Sequence, residues 1–209
     1  PYYDAHNHEP LTILASGAQI ELHLQATSRD EIASREKELL EIFGDRIYGF
    51  DDDTLEAVVG KLLVERNATI TTAESCTGGL LSSRITDVPG SSRYYLGGGV
   101  CYEAKAKIDL ARVDETLIQQ HGEVSEEVAL ALARGIRERF NATYGIGVTG
   151  IAGPGGGSEA KPVGTVHIAV ASATAHDHRR MFWPMPRPMF KWFASQSALD
   201  LLRLFILRD

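Results

Sequence analysis

The sequence predicts an α/β protein: a layered α/β domain with a central sheet flanked by helices, preceded by a small α+β fragment at the N-terminus. Three observations carry that expectation. From residue 51 onward, apolar strand-like runs alternate with helical ones, the pattern of a layered α/β domain. Two of those strands, over residues 69–73 and 144–148, run into turns rich in Ser, Thr and Gly, the usual setting for a ligand at strand ends. Residues 1–50 hold only two strands and one helix, too little for an independent core.

Residues 1–10 are polar and aromatic without periodicity and read as a linker or inserted loop. Strands are expected over 11–15 and 20–24, around Ser16-Gly17-Ala18. In the second, Ile20, Leu22 and Leu24 share a face opposite Glu21 and His23, as in a half-buried strand. Ser28 opens a helix with Asp30 and Glu31 in its first turn and Gly44 at its end. A domain boundary is expected near Asp51-Asp52-Asp53-Thr54, dividing the chain into 1–50 and 51–209. Those acidic residues suit the N-terminus of a helix through Leu55, Val59 and Leu63.

After the strand over 69–73, a helix is expected over 77–86 and a loop over 87–92. Residues 94–102 read as a glycine-rich strand, whose Gly97-Gly98-Gly99 implies close backbone approach by a ligand or another element. Short helices over 107–110 and 115–120 precede a longer one capped by Ser125, with Glu126 and Glu127 at its positive end. Strands over 144–148, 163–171 and 181–183 follow, with His176 and His178 in a hairpin turn, and a helix over 190–207 closes the order. Phe190, Trp192, Phe193, Leu201, Leu204 and Phe205 on that helix exceed what one face can hide, so a homodimer is expected.

Composition narrows the function. Hydrophobic residues make up 44% and charged residues 23%, as in a globular chain. Lys and Arg total 21 against 28 Asp and Glu, a formal charge of -7, which argues against a general nucleic-acid binder. An anionic small molecule requires a local basic pocket instead. No apolar run approaches the roughly 20 residues that span a bilayer, so no membrane partner is expected. Cys76 and Cys101 offer neither a disulfide framework nor metal-ligand spacing, and a cytoplasmic location is expected. The chain starts at Pro1 and is expected to be one piece of a longer polypeptide.

The chemistry concentrates in Thr71-Thr72-Ala73-Glu74-Ser75-Cys76-Thr77-Gly78-Gly79. A strand, a tight turn and a helix in that order lift a hydroxyl or thiol to the carboxyl end of a sheet beside free helix amides. Ser75 and Cys76 are both candidate nucleophiles, and Ser75 could equally be a helix cap. A serine needs a base. The seven histidines sit poorly for that role, and neither H-x-H pair (His6 and His8, His176 and His178) has a third ligand near it, so no metal and no cofactor are expected. Lys105 and Lys107 are the other candidates, though Lys105 reads better as a solvated charge. Bringing a lysine from pKa ~10.4 to roughly 7–8 shifts its balance by about 3 kcal/mol or more, which requires desolvation or a neighbouring cation. The glycine-rich loop over 149–157 suits backbone contacts to phosphate or ribose.

Four segments together resemble one family. They are 73–79 (Ala-Glu-Ser-Cys-Thr-Gly-Gly), 87–92 (Asp-Val-Pro-Gly-Ser-Ser), the 97–107 stretch, and 148–156 (Val-Thr-Gly-Ile-Ala-Gly-Pro-Gly-Gly). They are similar to the CinA C-terminal domain, found in competence/damage-inducible proteins and in stand-alone nicotinamide-nucleotide amidases. The segment before residue 51 resembles part of the KH-like linker domain of long members, whose amino-terminal molybdopterin-binding-like domain this chain would lack. The resemblance implies hydrolysis of nicotinamide mononucleotide to nicotinate mononucleotide and ammonia, in pyridine nucleotide salvage. It also implies Ser75 as nucleophile, Lys107 as base and Tyr102 as a supporting hydroxyl, with the amides of Thr77, Gly78 and Gly79 holding the oxyanion. Thr149, Gly150 and Arg187 are the further substrate contacts it suggests. Glu103-Ala104-Lys105 and Met185-Pro186-Arg187-Pro188 depart from the family's usual residues. Two rivals stand beside this expectation: a non-catalytic nucleotide-binding or regulatory module, and glycosidic cleavage using Glu74 or Glu103.

Overall fold

The structure is a computed structural model that describes residues 11–209 and divides into two units, Pro1–Phe50 and Asp51–Asp209. In the first, β1 (Leu11–Ser16) pairs antiparallel with β2 (Gln19–Leu24), from Leu11 opposite Leu24 to Ser16 opposite Gln19. The two-residue link is possible because Gly17 and Ala18 both take positive φ, 57° and 68°, matching the twist of the strands. Leu22 and Leu24 are half-buried, but Ile20 is exposed. Helix α1 (Arg29–Phe43) starts at Ser28, whose hydroxyl accepts the Glu31 amide at 3.2 Å, and stops at Gly44.

The second unit runs α2 (Leu55–Glu65), β3 (Ile70–Glu74), α3 (Leu80–Thr86), β4 (Tyr95–Val100), α4 (Ala104–Ala111), α5 (Glu115–His121), α6 (Glu126–Phe140), β5 (Tyr144–Gly150), β6 (Thr165–Ala171), β7 (His176–Phe182) and α7 (Arg187–Arg208). The sheet order is β4-β3-β5-β6-β7; β3 is parallel to both neighbours, while β6 and β7 return antiparallel. Helices flank this central sheet, as the alternation of runs predicts. Residues on β3 alternate between faces. Thr72 meets Ser82 of α3, while Ala73 joins the core formed with Val128, Leu132 and Ile136 of α6. On that second face α6 lies directly on β5, because Gly145 and Gly147 leave room: a Cβ at either would fall 2.1 or 2.2 Å from an α6 carbonyl oxygen.

The Gly97-Gly98-Gly99 run is explained by neighbouring elements. A Cβ at Gly98 would meet Thr72 Oγ1 at 2.0 Å, and Gly97 and Gly99 pack on Phe140 and Leu110. Two expectations are corrected. His176 and His178 lie inside β7, not in a turn; the turn falls at 172–175. A run of His, Asp and Arg shows no apolar alternation, yet it forms a strand because the open edge of β6 supplies a ladder from Ala171 opposite His176 to Thr165 opposite Phe182. The helix expected over 77–86 begins only at Leu80, after Gly78 and Gly79 at φ 61° and 93°.

Helix α7 buries Phe190, Leu201 and Phe205 against the sheet, α2 and α3. Arg84 fixes it: its guanidinium bonds Glu56 at 2.8 Å, Ser195 at 2.9 Å and Gln196 at 2.5 Å, and lies 4.2 Å over the Trp192 ring. Part of the apolar surplus of α7 is thus taken up within the chain, while Trp192 stays 38% exposed and Leu207 45%.

Candidate active site

The connection leaving β3 turns to the α3 face, and the connection leaving β4 turns toward the α4–α6 face. A crevice opens where such connections diverge at the carboxyl ends of parallel strands. Here it is a cavity of about 470 Å³ whose wall includes Ser75 and Cys76 after β3, Tyr102 after β4, Thr149 and Gly150 at the end of β5, Lys107, Glu123, Lys161 and Arg187. Three strand ends, one buried lysine and the loop over 151–158 therefore meet at one place.

Ser75 is fixed by its amide, which donates to the Val148 carbonyl at 2.9 Å and extends the β3–β5 ladder by one residue. Its hydroxyl, in a residue 6% exposed, donates to the Tyr102 carbonyl at 3.5 Å. Lys107, 1% exposed on α4, reaches the same carbonyl at 2.9 Å. The two groups that the resemblance pairs thus converge on one oxygen. Lys107 also donates to the Glu123 carboxylate at 2.7 Å, an ion pair within the cavity wall. Lys105, in contrast, is exposed and bonds Asp109 at 2.7 Å.

Tyr102 contributes differently from expectation. Its backbone carbonyl serves Ser75 and Lys107, while its hydroxyl accepts from Arg187 at 2.7 Å. Arg187, the first residue of α7, also donates to the Gly153 carbonyl at 3.1 Å, tying the glycine loop to the Tyr102 wall. Thr149 donates its hydroxyl to the Glu123 carbonyl at 2.8 Å. Lys161 reaches from the far end of that loop to the His121 carbonyl at the end of α5.

The turn itself corrects the expected oxyanion donors. Gly78 donates its amide to the Ser75 carbonyl at 3.1 Å, and Gly79 donates to Glu74 Oε2 at 3.0 Å. Neither lines the cavity, and Thr77 is buried beside them. The cause is Glu74, a buried carboxylate at the end of β3 that also accepts the Leu81 amide at 3.0 Å and the Ser82 amide at 2.8 Å. It caps α3 from the strand side and claims the amides that a serine cap would have left free. Of the turn residues after Ser75, only Cys76 lines the cavity. The glycosidic alternative weakens for the same reason: Glu74 is fully engaged, and Glu103 is exposed and does not line the cavity.

Cys76 lines the cavity, but burial pushes its thiol up to about 12, far from the thiolate a nucleophile requires. Glu123 and Lys161 are the residues sequence reasoning missed. Each sits in a loop without periodicity, and no spacing relates either to Ser75. Among the described residues no group of three or more His, Cys, Asp or Glu is placed to hold a metal ion, and no helix is long and apolar enough to cross a membrane. His6 and His8 lie outside the described residues.

The CinA C-terminal domain family model matches residues 52–206. The chain belongs to the CinA family. It is 46% identical over 204 residues to a competence-damage inducible protein of Moorella thermoacetica, covering 94% of this chain and 49% of that protein. It is 43% identical over 212 residues to a CinA-like protein of Koribacter versatilis, covering 97% and 50%. The crystal structure of the competence/damage inducible protein CihA from Agrobacterium tumefaciens matches with a TM-score of 0.71 at 34% identity, over 78% of this chain and 99% of that one. The chain spans about half the length of the curated relatives it matches.

Proposed function

We propose that this CinA-family chain is an amidohydrolase that converts nicotinamide mononucleotide to nicotinate mononucleotide and ammonia through Ser75 and Lys107. The observation that carries the reading is the shared Tyr102 carbonyl, which holds the serine hydroxyl and the lysine amine together at the wall of one cavity. Neutral Lys107 takes the Ser75 proton as Oγ bonds to the amide carbon. The Cys76 amide, at the cavity wall, receives the oxyanion, a contribution of about 3–4 kcal/mol per donor in a dry site. Lys107 then gives the proton to the departing nitrogen as the C–N bond breaks, and water hydrolyses the acyl-enzyme. Lys161, Arg187 and the glycine loop provide cations and amides for the phosphate.

Ammonia release by the purified chain tests this. Ser75→Ala and Lys107→Ala are each expected to lower kcat by about 10²–10⁴, whereas Cys76→Ala retains activity. Loss of ammonia release in Cys76→Ala alone would overturn the assignment. One observation favours a second reading, a nucleotide-binding module without turnover: Lys107 donates to Glu123 and to the Tyr102 carbonyl, not to Ser75. Saturable binding with the nucleotide unchanged after long incubation would establish that alternative.

A further inference from the structure

Among the described residues lining the cavity, Glu123 is the one carboxylate; Lys107, Lys161 and Arg187 are cations. The Glu123–Lys107 pair is lopsided. The lysine side chain is 1% exposed, sunk in the wall, while the Glu123 side chain is 46% exposed and stands in the opening. The backbone beneath it is held, since Thr149 donates to the Glu123 carbonyl and Gly122 turns the chain at φ 73°. A carboxylate on a fixed base with a free flank toward the cavity can serve Lys107 and a bound molecule in turn. The other groups around Lys107 cannot replace it. The Cys76 and Cys101 thiols are held neutral by burial, Glu74 is taken by α3, and Arg187 is tied to Gly153 and Tyr102.

We propose that Glu123 recognises the positively charged ring of the substrate and that, by turning to that ring, it discharges Lys107. This inference rests on the nicotinamide-nucleotide reading above. A pyridinium bonded through nitrogen to ribose carries a fixed charge with no proton to lose, and the same molecule carries an anionic phosphate. The wall has a partner for each end: Glu123 for the ring, Lys161 and Arg187 for the phosphate. Entry of a fixed cation, together with loss of the carboxylate partner, disfavours a charged amine at Lys107. Its proton leaves to water in the opening, the bonding electrons stay on Nζ, and the neutral amine remains beside Ser75. Over the reaction that amine accepts one proton from Ser75 and returns one to the leaving nitrogen, so one proton is released on binding and the lysine is otherwise unchanged. Until Glu123 turns to the ring, Lys107 is tied to its carboxylate and not to Ser75.

The test uses Ser75→Ala, which binds without turnover, and titration calorimetry in two buffers of different ionisation enthalpy, which counts protons. The oxidised nucleotide is expected to bind about fivefold more tightly than its reduced, uncharged dihydropyridine form, the scale of a partly exposed charge pair, and to release close to one proton. Adding Glu123→Gln should bring the two affinities together and abolish proton release, while Glu123→Asp restores part of both. Equal affinities in Ser75→Ala, or a preference and proton release that survive Glu123→Gln, would overturn the role of Glu123. Ammonia from the wild-type chain alongside charge-blind binding removes only this inference. No ammonia from the wild-type chain removes the reading beneath it and this inference together.

Discussion

Glu74 shapes the turn that presents Ser75, and replacing it with glutamine tests that account. Its Oε2 accepts the Gly79 and Leu81 amides at 3.0 Å each; its Oε1 accepts the Ser82 amide at 2.8 Å and the Ser82 hydroxyl at 2.5 Å. Glutamine supplies one carbonyl oxygen and one amino group, so on one side a donor must face donors. The smaller penalty sets the amino group toward Ser82, whose hydroxyl can accept from it and pass its own proton to Thr72 Oγ1 at 2.8 Å. The Ser82 amide is then left without an acceptor, which costs about 1–3 kcal/mol. The bonds from Gly79 and Leu81 survive but lose the charge that roughly doubles their strength. Together the loss is about 2–5 kcal/mol, a melting temperature lower by about 5–15 °C for a domain of this size. Thermal unfolding followed by circular dichroism measures it, and kcat should fall as the Ser75 turn loosens. A variant within about 0.5 kcal/mol of the wild type, with activity intact, would show that the carboxylate does not organise the turn.

Two further outcomes follow from buried titrating groups. Burial, and secondarily His178 with its ring nitrogen 3.0 Å away, holds the His167 imidazole down to about 4. The unfolded chain takes up that proton near the ordinary histidine value of ~6.5, so the contribution is fully present above that pH and is lost as pH falls from there to about 4. His167→Asn should flatten the urea-unfolding midpoint across that interval; an unchanged slope would contradict the burial argument. The Cys76 thiol, at about 12, should react with iodoacetamide at neutral pH far more slowly than a free cysteine. Rapid labelling monitored by mass spectrometry would reopen Cys76 as the nucleophile.

Much of the fold was legible because the relevant contacts are near in sequence. The alternation of runs, the Ser28 and Ser125 caps and the break at Gly44 each reflect burial or hydrogen bonding within a few residues. The first part of strand β7 is not legible in the sequence, because its residues, His176 to Phe182, are defined by the edge they join and not by their own pattern. The α3 start at Leu80 is hidden for a related reason. Ser, Thr and Gly before a helix ordinarily cap it, and nothing local announces that Glu74 does so from the strand behind.

The sequence by itself determined the α/β class, the serine-bearing turn, the glycine loop and, through combined motifs, the family. Only the tertiary structure decided that Ser75 and Lys107 share the Tyr102 carbonyl, that Arg187 ties the Gly153 loop to the Tyr102 hydroxyl, and that Glu123 pairs with Lys107. Local patterns record which residues face a core, because neighbours along a helix or strand are buried together. Which charge meets which across a cavity depends on how whole elements pack, and residues on separate loops carry no periodic trace of that meeting.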